Sequence, residues 1–234
     1  MIHHIRAARP LAGLTGESRQ LARFAGSSAF RRCVRAGALA AAFAVALTSF
    51  AAAEGGPPVR IRGEATKIEG DMLSVKDRSG AALTVKLAPN YRVTELRKAE
   101  LGEIKDGTYI GVTALPQKDG TLKAIAIMIF PPAAKGTAEG HRAWDLAPET
   151  TMTNATVDGI VTSGNGTTIK VKYKDGEKTV MVTPETSIVA MGPGQPAMLK
   201  PGAKILIFGA QKAADGTLST AGVVVGKDGL TPPM

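Results

Sequence analysis

The chain between about residue 57 and residue 230 contains one sequence unit twice, at a spacing of 96 residues. Aligned pairs are Gly63 with Gly159, Leu73 with Ile169, Val75 with Val171, and Asp119-Gly120-Thr121-Leu122 with Asp215-Gly216-Thr217-Leu218. A solenoid needs three or more shorter repeats to bury its core, so two copies of this length predict two domains. We place these domains at residues 57–132 and 154–230, joined by a structured linker at 133–153.

Within each copy the apolar residues follow the period of β-strands. Leu73 and Val75 alternate with polar neighbours, and so do Ile169 and Val171. Tight-turn residue pairs separate these runs, namely Gly70-Asp71, Ser79-Gly80, Asn165-Gly166 and Asp175-Gly176. Each copy therefore begins with a predicted three-stranded meander. Two further strands follow after an irregular stretch, at 109–115 and 122–130 in the first copy and at 204–210 and 218–225 in the second.

Five strands in about 70 residues, with a break after the third, predict a small closed barrel of the OB type. The expected fold is therefore all-β, with two tandem OB-like barrels of five to six strands; a twisted open sheet is the alternative. Gly63 and Gly159 lie inside each first strand, where glycine permits a sharp bend. Residues 124–130 and 205–208 are apolar on both faces, so we expect these strands also to pack against the other copy.

Residues 1–53 have the order of an export signal. Three arginines, Arg31, Arg32 and Arg35, precede an apolar run of 12 residues at 36–47, and Ala51-Ala52-Ala53 offers a cleavage site. The run predicts a signal helix that is too short to be a lasting membrane span, which takes about 20 residues. Arg31-Arg32 leaves general and twin-arginine export both open. The sequence thus predicts a soluble periplasmic protein once the signal is removed.

The strongly basic balance of the chain comes mainly from this segment. The formal net charge is +9, but residues 1–53 hold seven arginines and one acidic residue, Glu17, so the remainder is close to neutral. Cys33, the only cysteine, also lies there. The mature chain then has no thiol for a disulfide or a zinc site, and one histidine with scattered carboxylates is a weak metal-ligand set. We expect no metal and no other cofactor.

The export signal, the doubled unit and the linker sequence 136–146 together resemble a family of uncharacterised proteobacterial envelope proteins that carry tandem small β-barrel domains. The most specific part is the linker together with Met152-Thr153-Asn154-Ala155-Thr156. The resemblance covers roughly residues 57–230 and implies a fold and a location. Some similar proteins carry a metal-transporter permease label, but a permease needs several apolar spans, and the sequence has none after Ala53.

Reactive side chains concentrate in the linker, where we place the candidate ligand or partner site at His141, Arg142, Trp144 and Asp145. Trp144 and His141 are the only tryptophan and histidine of the mature chain. Tryptophan and arginine supply much of the energy of binding interfaces, and His141 with Asp145 could form a hydrogen-bonded pair. The structural alternative is that Trp144 fills a gap between the barrels while Arg142 and Asp145 pair with each other.

No catalytic motif stands out, so the leading hypothesis is a non-enzymatic binding or scaffolding protein of the periplasm. Its expected partner is an envelope protein or a small ligand. One alternative is a metal-dependent or hydrolytic enzyme centred on His141 and Asp145. Another is an oligonucleotide-binding protein that uses a lysine stripe at 170–178, although stacking aromatics are scarce and exposed lysines commonly protect strand edges. We expect no nucleic-acid partner.

Overall fold

Twelve β-strands and four short 3-10 turns make up the part of the chain that the computed structural model describes, residues 57–163 and 166–234. The strands are β1 (Val59–Glu69), β2 (Met72–Asp77), β3 (Ala82–Lys98), β4 (Tyr109–Pro116), β5 (Leu122–Ile129), β6 (Gly140–Ala143), β7 (Thr151–Ser163), β8 (Gly166–Tyr173), β9 (Gly176–Val182), β10 (Ser187–Pro193), β11 (Lys204–Lys212) and β12 (Leu218–Gly226). The all-β prediction is confirmed. The predicted signal helix, residues 1–53, lies outside the described residues.

Both predicted meanders are present. β1, β2 and β3 pair in succession as antiparallel strands, and so do β7, β8 and β9. Gly70 and Gly80 in the first meander have φ values of 58° and 92°, which glycine adopts without strain. The turn residues of the sequence therefore fix these local pairings.

Five strands close into one mixed barrel. β1, β2 and β3 of the first copy are joined by β11 and β12 of the second, with β11 antiparallel to β1 and β12 parallel to β3. Thirteen buried apolar residues fill its interior, among them Leu73, Val85 and Ile205. A closed barrel is thus present, as predicted. The tandem arrangement had implied that its strands would be consecutive in the chain, and they are not.

The length of β3 explains why strands from different copies combine. β3 has 17 residues, about 55 Å at the usual rise of a strand, and its second half leaves β2 and pairs with β10. The chain is therefore carried away from the first meander before β4 begins. The bounds 57–132 and 154–230 remain a prediction about the sequence repeat, since β11 and β12 lie outside the first of them.

The remaining seven strands are attached to the barrel through β10, which pairs with β3 and with β5. β4 pairs with β5 and β7, β6 lies on β7, and β9 meets β5 over two residue pairs. A second group of 13 buried apolar residues, which includes Ile110, Ile127 and Val171, packs among these strands. None of the helical segments within the described ranges is long and apolar enough to span a bilayer.

Backbone hydrogen bonds correct the alignment of the two first strands. Ala65 bonds to Gly202 and Ala203 as Val157 bonds to Gly107 and Thr108, so Ala65 and Val157 are counterparts 92 residues apart. The spacing of 96 holds for β2 and β8, because 14 positions separate the paired residues Val157 and Val171, whereas ten separate the paired residues Ala65 and Val75. The structural counterpart of Gly63 is therefore Ala155, not Gly159.

Two different constraints explain the two glycines. A Cβ atom at Gly63 would overlap the carbonyl oxygen of Lys76 on β2, so this position needs a residue without a side chain. Gly159 lies where the register of β7 and β8 shifts, and its φ is 139°. Gly63 thus permits close approach of β2, whereas Gly159 permits the register shift of β7, and the two glycines are not at equivalent positions of the two copies.

Candidate functional site

The linker enters the fold as strand β6, which pairs with the start of β7. Arg142 lies opposite Met152, and His141 lies opposite Thr153. Beyond β6, the backbone N–H of Trp144 donates to the carbonyl oxygen of Thr150, and Thr150 Oγ1 bonds to the carbonyl oxygens of Trp144 and Ala147. These bonds close the loop at 144–150. Because side chains alternate along a strand, Arg142 and Trp144 share a face that His141 does not.

Arg142 and Trp144 line a cavity of about 340 Å³, which we call the Trp144 cavity. Its walls come from both copies of the repeat and from the linker. The lining residues are Arg60, Met128, Phe130, Thr137, Ala138, Arg142, Trp144, Met152, Asn154, Met191 and Phe208. Most of the wall is apolar, and several of these residues belong to a third buried cluster between the other two. The prediction that residues 124–130 and 205–208 also pack outside their own strand group is confirmed.

Three guanidinium groups surround the indole of Trp144. The Arg60 guanidinium lies over the ring at 3.9 Å from its centre, and those of Arg62 and Arg142 lie at 5.9 Å. Attraction between a cation and the face of an aromatic ring stabilises such a stack by about 0.5–2 kcal/mol, and more strongly where water is excluded. The indole itself is 9% exposed, so it is both a buried packing residue and a wall of the cavity.

Asp145 connects two of these arginines. Its carboxylate lies 2.7 Å from Arg62 Nη2 and 3.4 Å from Arg60 Nη1. Burial alone would raise the pKa of Asp145, but the hydrogen bond from Arg62 and the charges of Arg62 and Arg60 outweigh it and lower that pKa. Arg78 donates to the carbonyl oxygens of Asp145 and Leu146, which fixes this turn against the closed barrel.

His141 stands apart from the cavity lining. Its Nδ1 shares a hydrogen bond of 2.8 Å with Thr153 Oγ1. Burial, and after it the positive charges of Lys178 and Arg142, lower the pKa of His141 below its ordinary value. The predicted pairing of His141 with Asp145 is therefore replaced by separate partners, Thr153 for the imidazole and the arginines of β1 for the carboxylate. Arg142 bonds to Ala138, not to Asp145.

A turn at Thr137 and Ala138 forms the exposed rim of the cavity. Tyr109 Oη and Asn154 Nδ2 both donate to the carbonyl oxygen of Thr137, and Arg142 Nη1 donates to that of Ala138. Ala138 has a φ of 47°, a left-handed conformation that costs free energy outside glycine. Three side chains from three strands therefore hold this rim in place.

Four buried side-chain polar atoms within the described ranges have no hydrogen-bond partner, and three belong to residues of this lining: Arg60 Nε, Trp144 Nε1 and Asn154 Oδ1. Asn154 Oδ1 is directed at β4, where a Cβ atom on Gly111 would lie 2.9 Å from it. The other two atoms are donors in the stack of Arg60 on Trp144. Such unpartnered atoms are rare in folded proteins and are concentrated here.

The sequence analysis identified Arg142 and Trp144 as candidate site residues but did not identify the other residues that line the cavity. Arg60 precedes the first aligned glycine on β1, five other lining residues lie on β5, β7, β10 and β11, and Phe130, Thr137 and Ala138 lie between β5 and β6. The double-sided apolar character of residues 124–130 and 205–208 was the one available signal. It indicated a second packing surface without saying that this surface encloses a cavity.

Outside the cavity, two of the four lysines of the stripe at 170–178 form ordinary ion pairs. Lys170 lies 3.0 Å from Glu177, and Lys172 lies 3.7 Å from Asp158. Among the residues with described positions, no three His, Cys, Asp or Glu side chains come together as a metal-ligand group.

We found no family model, curated protein or solved structure that matches this chain.

Proposed function

We propose that this chain is a non-enzymatic binding protein of the bacterial periplasm, and that its ligand occupies the Trp144 cavity. One observation carries the proposal: a largely apolar cavity is lined by Arg60 and Arg142, whose guanidinium groups lie 3.9 Å and 5.9 Å from the ring centre of Trp144. Arginine and tryptophan are enriched among the residues that contribute most to binding. A bound molecule would bury its apolar part against this wall and accept hydrogen bonds from the guanidinium groups.

The apolar lining of the cavity supports a ligand site more than its volume does. Other clefts of the described chain are larger, at about 400–720 Å³, but charged residues make up a larger share of their lining. The Trp144 cavity, at about 340 Å³, falls at the lower end of the range of about 300–1,000 Å³ that is typical of ligand pockets, which indicates a small ligand.

The family resemblance and the export signal support the proposed location and a role in the cell envelope. We also propose that β4, β5, β7, β8 and β9 form a second OB-like barrel with strands exchanged between the copies. The reciprocal pairing of β1 with β11 and of β7 with β4 supports this, as does the buried cluster around Ile127 and Val171. The two barrels would then enclose the cavity between them.

A dye titration tests the proposed function. We expect the protein, purified from a periplasmic extract with a new N terminus near Glu54, to bind N-phenyl-1-naphthylamine, a neutral dye whose fluorescence rises in apolar surroundings. Met191→Trp should fill the cavity and weaken dye binding by tenfold or more. Met198→Trp is the matched control, because Met198 is also half-buried but packs against the closed barrel.

Equal dye binding by the Met191 and Met198 variants, or no binding by the unaltered protein, would contradict the proposed site. An intact Met1 on the purified protein would contradict export. Melting curves of both variants show whether a loss of binding reflects a loss of fold.

A further inference from the structure

The chemistry of the lining also indicates the class of ligand, an inference that rests on the proposed function. We propose that the Trp144 cavity binds an anionic amphiphile, a molecule with one slender apolar body and one negatively charged head. The body would lie among the methionine and phenylalanine side chains of the cavity. The head would lie beside the guanidinium groups of Arg60 and Arg142.

The apolar wall suits a flexible chain. Five lining residues supply thioether or phenyl groups, namely Met128, Phe130, Met152, Met191 and Phe208. Methionine side chains are unbranched and polarizable, so they adapt to ligands of variable shape. Tyr109 packs behind Phe130 with ring centres 5.3 Å apart, which makes that part of the wall firm. The wall is thus firm on one side and adaptable on the others.

The charged end of the cavity has more positive than negative groups. Asp145 is the carboxylate that pairs with Arg60, and it lies closer to Arg62, which is outside the lining. Arg142 is bonded to a neutral carbonyl oxygen, that of Ala138. Two guanidinium groups therefore line the cavity. The only carboxylate paired with either of them within the described residues is that of Asp145, which Arg60 shares with Arg62. A negatively charged head would restore the balance.

The donor chemistry of this end of the cavity points the same way. The guanidinium groups of Arg60 and Arg142 and the indole N–H of Trp144 are donors only, so a polar group of the ligand must be an acceptor. Burial, and after it the charge of Arg60, lower the pKa of Arg142, so an anion beside both groups would offset the effect of that charge. Carboxylates and other oxyanions accept charge-assisted bonds from arginine, and these are stronger than bonds to neutral acceptors.

Three ten-carbon probes with different heads test the inference by displacement of N-phenyl-1-naphthylamine, below the concentration at which any of them forms micelles. We expect decanoate to bind about tenfold more tightly than decan-1-ol, since charge-assisted hydrogen bonds from arginine are stronger than bonds to a neutral acceptor. Decyltrimethylammonium should bind most weakly. Arg142→Gln should weaken decanoate about tenfold and change decan-1-ol by less than threefold.

Arg97→Gln is the matched control, because Arg97 pairs with Glu103 at 2.7 Å outside the cavity and should leave all three affinities unchanged. Equal or tighter binding of decan-1-ol or of the cation to the unaltered protein would overturn the anionic ligand class. If none of the three probes displaces the dye, the anionic ligand class is overturned as well. In either case the proposed ligand site at the Trp144 cavity is kept, because the dye still binds there. Failure of the dye itself to bind would instead overturn the proposed function.

Discussion

Cysteines that replace Glu64 and Lys204 should form a disulfide within one chain. The two residues face each other on β1 and β11, and Lys204 Nζ lies 2.6 Å from Glu64 Oε2, so their side chains project on the same side. Directly opposed residues of antiparallel strands have the spacing that a disulfide requires. The bridge would close a loop between residues 140 positions apart, and the entropy of loop closure predicts a gain of about 5 kcal/mol in the free energy of unfolding.

The matched control is Glu64→Cys with Tyr109→Cys, both pairs being made in a chain with Cys33→Ser. Tyr109 occupies in the first copy the place that Lys204 has in the second, so it would face residue 64 if each barrel were built from consecutive strands. Peptide mapping by mass spectrometry under non-reducing conditions identifies the bridge. A disulfide between positions 64 and 109, and none between 64 and 204, would contradict the exchange of strands.

Replacement of Trp144 should have a large effect on stability. We expect Trp144→Ala to lower the free energy of unfolding by about 3–5 kcal/mol, because it removes a large buried side chain next to an existing cavity and leaves Arg60 without its aromatic partner. Trp144→Phe keeps a ring under Arg60 and removes the unpartnered N–H. We therefore expect it to cost less than about 1.5 kcal/mol.

Denaturation in guanidinium chloride, followed by circular dichroism, measures both variants without relying on the fluorescence of the tryptophan that is removed. A loss for Trp144→Phe as large as that for Trp144→Ala would show that the indole N–H has a partner that the structure does not reveal. A loss below about 1 kcal/mol for Trp144→Ala would show that the indole adds little to the packing of the core.

Local chemistry made the strands predictable. Apolar alternation at residues such as Leu73, Val75 and Val171 marks the buried faces, and the turn glycines mark the hairpins. These signals act over two to ten residues, which is the range of a meander. The pairings within each meander could therefore be derived from the sequence alone, whereas β6, β10 and the extension of β3 to Lys98 could not.

The exchange of strands could not be derived in this way. β4 and β11 are equivalent strands of two similar copies, so each has the pattern needed to complete either group. Period-two patterning specifies which face of a strand is buried but not which of two similar partners it meets. The structure associates the exchange with the length of β3, whose continuation from Thr94 to Lys98 pairs with β10.

The candidate site shows the same division between local and distant information. Trp144 and Arg142 could be found because they are rare or reactive residues in a short linker. Arg60, Asn154 and Met191 become parts of the site only when strands distant in the chain meet. No motif joins these residues, since each occupies an ordinary position in its own strand.

The most direct test of the ligand site is the methyl NMR spectrum of protein labelled with 13C at its methionine methyl groups, titrated with N-phenyl-1-naphthylamine. Met128, Met152 and Met191 line the Trp144 cavity, whereas Met72, Met181 and Met198 lie outside its lining and serve as internal controls. We predict saturable shifts of the first three signals and little change in the other three. Shifts that are absent, or that are equally large for Met72, Met181 and Met198, would contradict a ligand site at the Trp144 cavity.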